Sequence, residues 1–393
     1  MQRFRFLIYT VVLLTVLLTV RNARAQFSDG LQVRGYLQAM PVWMKAELPP
    51  PVGSRSFWEY RLQNRLNLRW DLSADWTFNW QMRTRFFAGD LVRDLPFYAD
   101  AIHESAEDGL VNLSRMVAER DSWLLHYNTD RLNLEWATTD WSVRIGRQRI
   151  NWGINMVSNP NDLFNIYSFY DFDYPERPRS DAIRIQRFTG PFSRWEVAVR
   201  PDRTLEQTVA AFLYAFNTDG YDVQVLGGYY RNRLAIGGGW AGSLSRTGFK
   251  GEVMFFSDLE ENGGARESNI VTAVSADHMF DNSLFLVVEA LYNQKGGRGQ
   301  FVLTGDPPAA DNPSFSRFQL TANGTYPFSP IFSGSLAMIY YPDEQAVFIS
   351  PAVRWSVLQD LDMNVFTQLF AGSEESVFQH AGNVVATSLK WNF

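Results

Sequence analysis

Polar and apolar residues alternate with a period of two along most of the chain. In RLQNRLNLRW (61–70), arginine, glutamine and asparagine occupy one set of positions, and leucine and tryptophan occupy the other with Asn64 as the mismatch. The stretch DWTFNWQMRTRFF (75–87) repeats the pattern. Successive side chains of a β-strand point to opposite faces, so each stretch predicts a strand with one polar and one apolar face.

Extended over the chain, this pattern predicts eighteen strands, with sixteen as the alternative count. Their connections alternate between short turns, such as LSA and NTDG, and longer segments at 46–56, 90–121 and 151–180. Short turns on one rim and long loops on the other are typical of transmembrane barrels. The predicted fold is all-β, a transmembrane antiparallel β-barrel. The strands are expected at 31–45, 57–71, 75–89, 122–137, 140–150, 181–190, 194–201, 206–217, 220–231, 233–243, 247–258, 268–280, 283–294, 315–327, 331–341, 346–357, 361–373 and 381–393.

The first 25 residues have the pattern of a secretory signal peptide. Arg3 and Arg5 precede an apolar run at 6–20, and Ala23-Arg24-Ala25 forms a small-x-small cleavage pattern. We therefore expect a signal peptide at 1–25 and an outer-membrane barrel at 26–393. A retained membrane anchor is the alternative.

Composition narrows the class of protein further. The 393 residues are 46% hydrophobic and 15% aromatic, include no cysteine and carry a net charge of −6. These values exclude a disordered chain, disulfides and thiolate metal sites, and they predict no nucleic-acid partner. Tryptophan is typical of membrane interfaces, so we expect the tryptophans near the short turns to form a girdle surrounded by outer-membrane lipid and lipopolysaccharide. The alternative is that these side chains fill a soluble core. The girdle residues are Trp70, Trp76, Trp136, Trp141, Trp195 and Trp391.

Two segments resemble known families. The last strand, NVVATSLKWNF (383–393), resembles the carboxy-terminal signal of bacterial outer-membrane barrels, which implies the barrel-assembly machinery as a partner. The segment SVRIGRQRINWG (142–153), followed by NPNDLF (159–164), resembles barrels of the alginate-export and related porin-like families. This second resemblance implies a barrel and assigns no ligand-binding residue.

The polar strand faces carry many arginines. Across 57–70, 76–89, 141–150 and 182–200 there are twelve arginines against Glu59 and Glu196. An arginine facing lipid at the midplane costs roughly 2–4 kcal/mol, so the lumen is the expected location, and guanidinium groups there would attract anions. The alternative is a structural network of arginines with loop carboxylates. The predicted lumen-binding residues are Arg61, Arg65, Arg69, Arg83, Arg85, Arg144, Arg147, Arg149 and Arg184.

Three irregular features accompany the strands. Arg147 and Arg149 share the parity of apolar residues, so a β-bulge is expected near Gly146. Residues 98–119 have apolar positions at helical spacing and predict an amphipathic helix.

The long aromatic segment 151–180 predicts a loop folded into the lumen as a constriction, with a packed surface loop as the alternative. Its candidate residues are Trp152, Asn155, Asn161, Asp162, Tyr167 and Tyr170.

The sequence gives no sign of catalysis. The four histidines lack the HExxH spacing of a zinc site, and neither a GxSxG elbow nor a phosphate-binding glycine loop is present, so we predict no enzyme, cofactor or metal. The predicted function is passive passage of an anionic small molecule or acidic polysaccharide through an arginine-lined lumen. The alternative is a plugged barrel that serves as a structural or export component of a cell-envelope complex.

Overall fold

The alternating segments form antiparallel strands in the computed structural model. It describes residues 30–48, 53–104, 109–165, 179–260, 266–296, 308–373, 376, 378 and 381–393, so the expected signal peptide lies outside the described residues. The strands are β1 (Leu31–Leu48), β2 (Gly53–Asp71), β3 (Trp76–Gly89), β4 (Ser114–Arg120), β5 (Trp123–Ala137), β6 (Trp141–Gln148), β7 (Ser180–Gly190), β8 (Ser193–Arg200), β9 (Val209–Thr218), β10 (Tyr221–Tyr230), β11 (Arg233–Leu244), β12 (Thr247–Asp258), β13 (Ser268–Met279), β14 (Phe285–Asn293), β15 (Phe318–Ser329), β16 (Phe332–Tyr341), β17 (Ala346–Leu358), β18 (Leu361–Gly372) and β19 (Asn383–Asn392).

Eighteen of these strands close a ring, and β4 is an addition to it. Each strand of the ring pairs with its neighbour along the chain, except that β3 pairs with β5. The first and last strands also pair, and Gly35 and Phe393 exchange backbone hydrogen bonds at 2.9 and 3.0 Å. Closure leaves no ring strand with an unpaired edge in the bilayer. The predicted barrel of about eighteen strands is confirmed.

The added strand β4 corrects the prediction of a helix at 98–119. Among the described residues of this region, helices cover Asp90–Asp94 and Tyr98–Glu104, and the chain from Ser114 is extended. A short 3-10 helix, Leu205–Gln207, lies between β8 and β9. β6 ends at Gln148 after eight residues and pairs with β5 only over 132–137. β4 pairs with β5 over 123–128. Hydrogen bonding to a strand therefore outweighs the helical spacing of the apolar residues.

The expected bulge also lies elsewhere. The pairing of β5 with β6 is regular through Gly146, although Gly146 itself has a φ of 115°. The register shift is on the other side of β5, where Gln81 pairs with Arg131 and Met82 pairs with Thr129. Asp130 is therefore the extra residue of the bulge.

The outer surface of the ring is apolar, as a lipid-facing wall requires. Leu62, Ile145, Ile236 and Leu336 are about half exposed and point away from the lumen. Among the described residues, no helix has the length and hydropathy to cross a membrane. The closed barrel with its apolar outer belt confirms the predicted location in an outer membrane. Several aromatic side chains lie at strand ends beside the short turns, including Trp70, Trp76, Trp141 and Trp195.

The largest apolar cluster lies inside the ring. It joins the chain that follows β6 to the inner faces of β7–β14, and both sides contribute fully buried residues. Its members include Ile150, Trp152, Phe164, Leu213, Met254 and Phe256. One half of the barrel interior is thus filled by a packed segment.

Candidate functional site

The inner faces of β2 and β3 carry the predicted arginine wall. The register places Arg65 directly opposite Arg83, and Gln63 opposite Arg85. Arg65, Arg83 and Arg85 are all buried by the segments that surround them. Two like charges facing each other across a strand pair repel, so a counter-charge is needed nearby.

Asp130 supplies that counter-charge from the bulge of β5. Its side chain is fully buried and its carboxylate contacts the guanidinium of Arg65 directly. Nε of Arg83 lies 3.8 Å from one carboxylate oxygen, and Nη1 of Arg179 lies 3.4 Å from the other. Asn128 donates a further hydrogen bond to the same carboxylate. The bulge thus points the carboxylate of Asp130 toward the centre of the arginine wall.

Several guanidinium groups converge around Asp130. Arg131 adds a fourth guanidinium, which donates to the backbone carbonyl of Asp130 at 2.8 Å. Arg85 lies next in the wall, with Nη2 3.4 Å from Nδ1 of His126. The buried carboxylate of Asp130 is thus shared by Arg65, Arg83 and Arg179. This Asp130 cluster, defined as Asp130 with Arg65, Arg83, Arg131 and Arg179, is the most basic part of the described interior.

The remaining predicted arginines pair with acceptors nearer the rims. Arg61 contacts Glu59, and Arg144 binds Glu135 at 2.7 Å. Arg184 forms two hydrogen bonds with Glu196, at 2.6 and 2.9 Å. Arg69 is exposed and pairs with Asp71. Arg149 is half-buried and donates a hydrogen bond to Asn151.

Arg147 lies within the wall rather than on the lumen surface. It shares the parity of Ile145, and its guanidinium binds Asp181 at 2.7 and 2.9 Å. It also donates to the backbone carbonyls of Thr129 and Val111. Arg147 therefore fastens the chain before β4 to the ends of β6 and β7.

The predicted constriction segment crosses the interior. From Ile150 to Asn165, which we call the crossing segment, the chain leaves β6 and contacts the opposite wall. The indole N–H of Trp152 donates to Glu196 at 2.5 Å, and its backbone carbonyl accepts a hydrogen bond from Gln224 at 2.6 Å. Tyr167 and Tyr170, which were predicted to belong to this constriction, lie outside the described residues.

Two buried glutamates hold the crossing segment by its backbone. Glu252 accepts the N–H groups of Ile154, Asn155 and Asn161, the last two at 2.7 and 2.8 Å. Glu289 accepts those of Val157 and Ser158 at 3.2 and 2.8 Å. A buried carboxylate needs hydrogen-bond donors, and a non-helical segment inside a barrel needs acceptors, so each satisfies the other.

The predicted asparagines serve different contacts. The side chain of Asn155 binds Ser275 at 2.7 Å and the carbonyl of Ala273 at 3.2 Å. Asn161 is fully buried beside Gly239, and Asp162 is also buried. A Cβ atom at position 239 would lie 2.9 Å from Ile154 and 3.0 Å from Asn161, so glycine makes room for the segment.

The two features lie on opposite sides of the ring. The Asp130 cluster belongs to β2, β3 and β5 together with Arg179 just before β7. The crossing segment is held mainly by β8, β10, β12, β13 and β14. Below the segment, toward the short turns, a cavity of about 430 Å³ is lined by polar and aromatic side chains that include Trp152, Arg194 and Gln224. The interior is thus narrowed from one side and basic on the other.

Sequence reasoning missed the carboxylates that organise this site. Asp130, Glu252 and Glu289 lie on strands that were not included in the comparison of arginines with acids. A charged residue at an inward position of an alternating strand is the signal that could have found Glu252 and Glu289. Asp130 breaks the alternation, so only the bulge reveals its direction.

Comparison with known proteins supports the architecture. Neither protein-family models nor curated proteins give a match. Among solved structures, the outer membrane protein OprD from Pseudomonas aeruginosa matches with a TM-score of 0.54 at 8% identity, over 92% of this chain and 93% of its own. OpdK from the same organism, in a structure with vanillate, gives 0.54 at 8%, over 94% and 100%. OccAB1 from Acinetobacter baumannii gives 0.54 at 8%, over 94% and 98%.

At these identities the likeness establishes the fold. The chain has the closed antiparallel barrel of outer-membrane porins, which agrees with the porin-like part of the resemblance noted in the sequence.

Proposed function

We propose that this protein is an outer-membrane channel that passes anionic solutes, either small carboxylates or acidic saccharides, and performs no catalysis. The observation that carries the proposal is the convergence of four guanidinium groups, those of Arg65, Arg83, Arg131 and Arg179, around Asp130 on the inner side of the barrel wall. Arginine remains charged at any physiological pH and offers forked donors that match carboxylate, phosphate or sulfate.

The geometry of the interior favours a guided path for an anion. The crossing segment narrows the lumen from the side opposite the basic wall, so a solute that passes it does so close to the arginines. Charged walls of low dielectric concentrate counter-ions and raise their entry rate. The cavity below the segment, with Arg194 in its lining, would receive the solute on the side of the short turns. The solved structure of OpdK with vanillate, an aromatic carboxylate, points to the same class of solute.

A specific observation favours one other function. Every arginine predicted for the wall has a polar partner, and the crossing segment is packed into an apolar cluster. Such an interior also suits a plugged barrel that acts as a structural or export component of an envelope complex. The two functions differ in one measurable property, which is conductance.

The test is the reversal potential of the purified barrel in a planar bilayer under a potassium chloride gradient. We expect anion selectivity, together with block by glucuronate and no block by glucose at the same concentration. The double variant Arg83→Gln, Arg85→Gln should lower the anion-to-cation permeability ratio by roughly tenfold. Arg246→Gln is the matched control, because Arg246 pairs with Asp281 in an exposed turn.

Each result has a definite meaning. Cation selectivity in the unmodified protein, or equal reversal potentials for the double variant and the control, would contradict the anion path. Insertion without conductance would favour the plugged barrel.

A further inference from the structure

The outer wall of the barrel carries a notch where β5 changes partner. The notch has a volume of about 420 Å³ and is lined by residues of β3, β5 and the start of β4. Its apolar lining includes Phe78, Trp80, Leu113, Tyr127 and Leu132. Phe78 and Trp80 alternate with the inward Asn79 and Gln81, so the notch opens toward lipid and not toward the lumen.

The notch exists because two strands share one side of β5. β6 covers β5 from Leu132 to Ala137, and β4 covers it from Trp123 to Asn128. Between them the wall is completed by a short stretch of chain, in which the carbonyl of Leu113 accepts the N–H of Thr129 at 3.0 Å. This junction does not continue the regular sheet, and it leaves a step on the outer surface.

The cation of Arg115 lies at the edge of this apolar surface. Arg115 is exposed and pairs across β4 and β5 with the outward-facing Tyr127. Within the part of the chain that the structure describes, no carboxylate forms an ion pair with it. A guanidinium on a lipid-facing wall costs free energy unless an anion neutralises it or it reaches the interface. An anionic lipid headgroup at the membrane surface would neutralise Arg115 there.

We propose that the notch binds an acyl chain of a phosphorylated outer-leaflet glycolipid, with a lipid phosphate on Arg115. β4 belongs to a long connection, and long loops of such barrels lie on the extracellular side, where the outer leaflet carries this lipid. The apolar lining suits an acyl chain, and the guanidinium suits a phosphate. The site is on the outer wall, so it does not depend on the solute that passes the lumen.

The experiment measures binding of purified lipid A to the delipidated full-length mature barrel in detergent, by native mass spectrometry. Arg115→Gln should weaken binding about tenfold, since it removes a charge-assisted hydrogen bond. Arg120→Gln is the matched control on the same strand, because Arg120 is exposed and bonds the adjacent backbone carbonyl of Glu119. Leu132→Trp, which fills the notch without changing charge, should also weaken binding.

Dephosphorylated lipid A separates the two contributions. We expect it to bind the unmodified barrel as weakly as lipid A binds Arg115→Gln. Equal binding of lipid A to the two arginine variants, or equal binding of the phosphorylated and dephosphorylated lipids, would overturn the proposal. Heat-modifiable migration in gels verifies that each variant is a folded barrel, and Leu132→Trp provides the test if Arg115→Gln does not fold.

Discussion

Glu252 on β12 accepts the backbone N–H of Asn161 at 2.8 Å, inside the barrel and across 91 residues of sequence. The same carboxylate also accepts the N–H groups of Ile154 and Asn155. Three donors from one irregular segment thus converge on one buried side chain. The backbone of the crossing segment is therefore fixed directly to the wall, in addition to the contacts that its side chains make.

Glu252→Gln tests this attachment. The amide offers one acceptor oxygen and places an N–H₂ group against a backbone donor, so at least one hydrogen bond to a charged group is lost. We expect the barrel to lose about 2–3 kcal/mol of unfolding free energy. We also expect the crossing segment to become accessible. Because the chain has no native cysteine, a single Val157→Cys reporter can measure its labelling by a water-soluble thiol reagent.

Glu206→Gln provides the control for that prediction, since Glu206 is exposed outside the ring of strands. Labelling of Val157→Cys should be faster with Glu252→Gln and unchanged with Glu206→Gln. Equal labelling rates in both backgrounds would mean that Glu252 does not hold the segment.

Asp130→Asn separates the two roles of the Asp130 cluster. Removal of the carboxylate leaves Arg65 and Arg83 facing each other without their shared counter-charge. Breaking a buried ion pair by removing one partner costs about 3–5 kcal/mol, so we expect a less stable barrel. The same change adds positive charge to the lumen, so anion selectivity should rise. Urea unfolding in lipid vesicles and reversal potentials measure the two effects.

The control for Asp130→Asn is Asp281→Asn, because Asp281 is exposed and pairs with Arg246 in a turn. It should change neither stability nor selectivity measurably. An Asp130→Asn barrel with unchanged or lower anion selectivity would show that these arginines serve structure alone.

The ring of strands could be predicted from the sequence because alternation is a local property. In β2, each inward arginine is separated from the next by outward residues such as Leu62 and Leu66, and this pattern needs no knowledge of neighbours. β4 could not be predicted in the same way. Its extended backbone depends on the early end of β6 at Gln148, which frees half of β5 for another partner.

The site was predictable only in part, for a related reason. The inward direction of Arg65 and Arg83 follows from alternation, but their shared partner Asp130 lies on a bulge that alternation cannot locate. The crossing segment was recognisable by its length and aromatic residues. Its attachment to Glu252 and Glu289 joins residues about 90 to 130 positions apart, which no local pattern reports.

Gly239→Ala tests whether the wall is shaped to receive the crossing segment. The added Cβ would lie 2.7 Å from the carbonyl oxygen of Gly251 and 2.9 Å from Ile154, so backbone must shift. Overpacking of this kind costs about 1–3 kcal/mol, and we expect a comparable loss of unfolding free energy in urea. Gly324→Ala is the control, since its Cβ would have no contact closer than 3.9 Å. Equal stability of the two variants would contradict the close fit at Gly239.

The helix Asp90–Asp94 gives a prediction about pH. Arg93 donates to Asp94 at 2.8 Å, and Arg55 contacts the same carboxylate, so these cations hold the pKa of Asp94 below its ordinary value. Because the pKa is lower in the folded state, this stabilisation is fully present above the unfolded value of about 3.9 and is lost as pH falls through the folded pKa. Titration of the Asp94 carboxyl by NMR should show the depressed pKa, and Arg93→Gln should raise it. Arg120→Gln, which changes a distant exposed arginine, should leave the titration unchanged. If Asp94 has the same pKa in the Arg93→Gln variant as in the unmodified protein, the Arg93 contact does not form in solution.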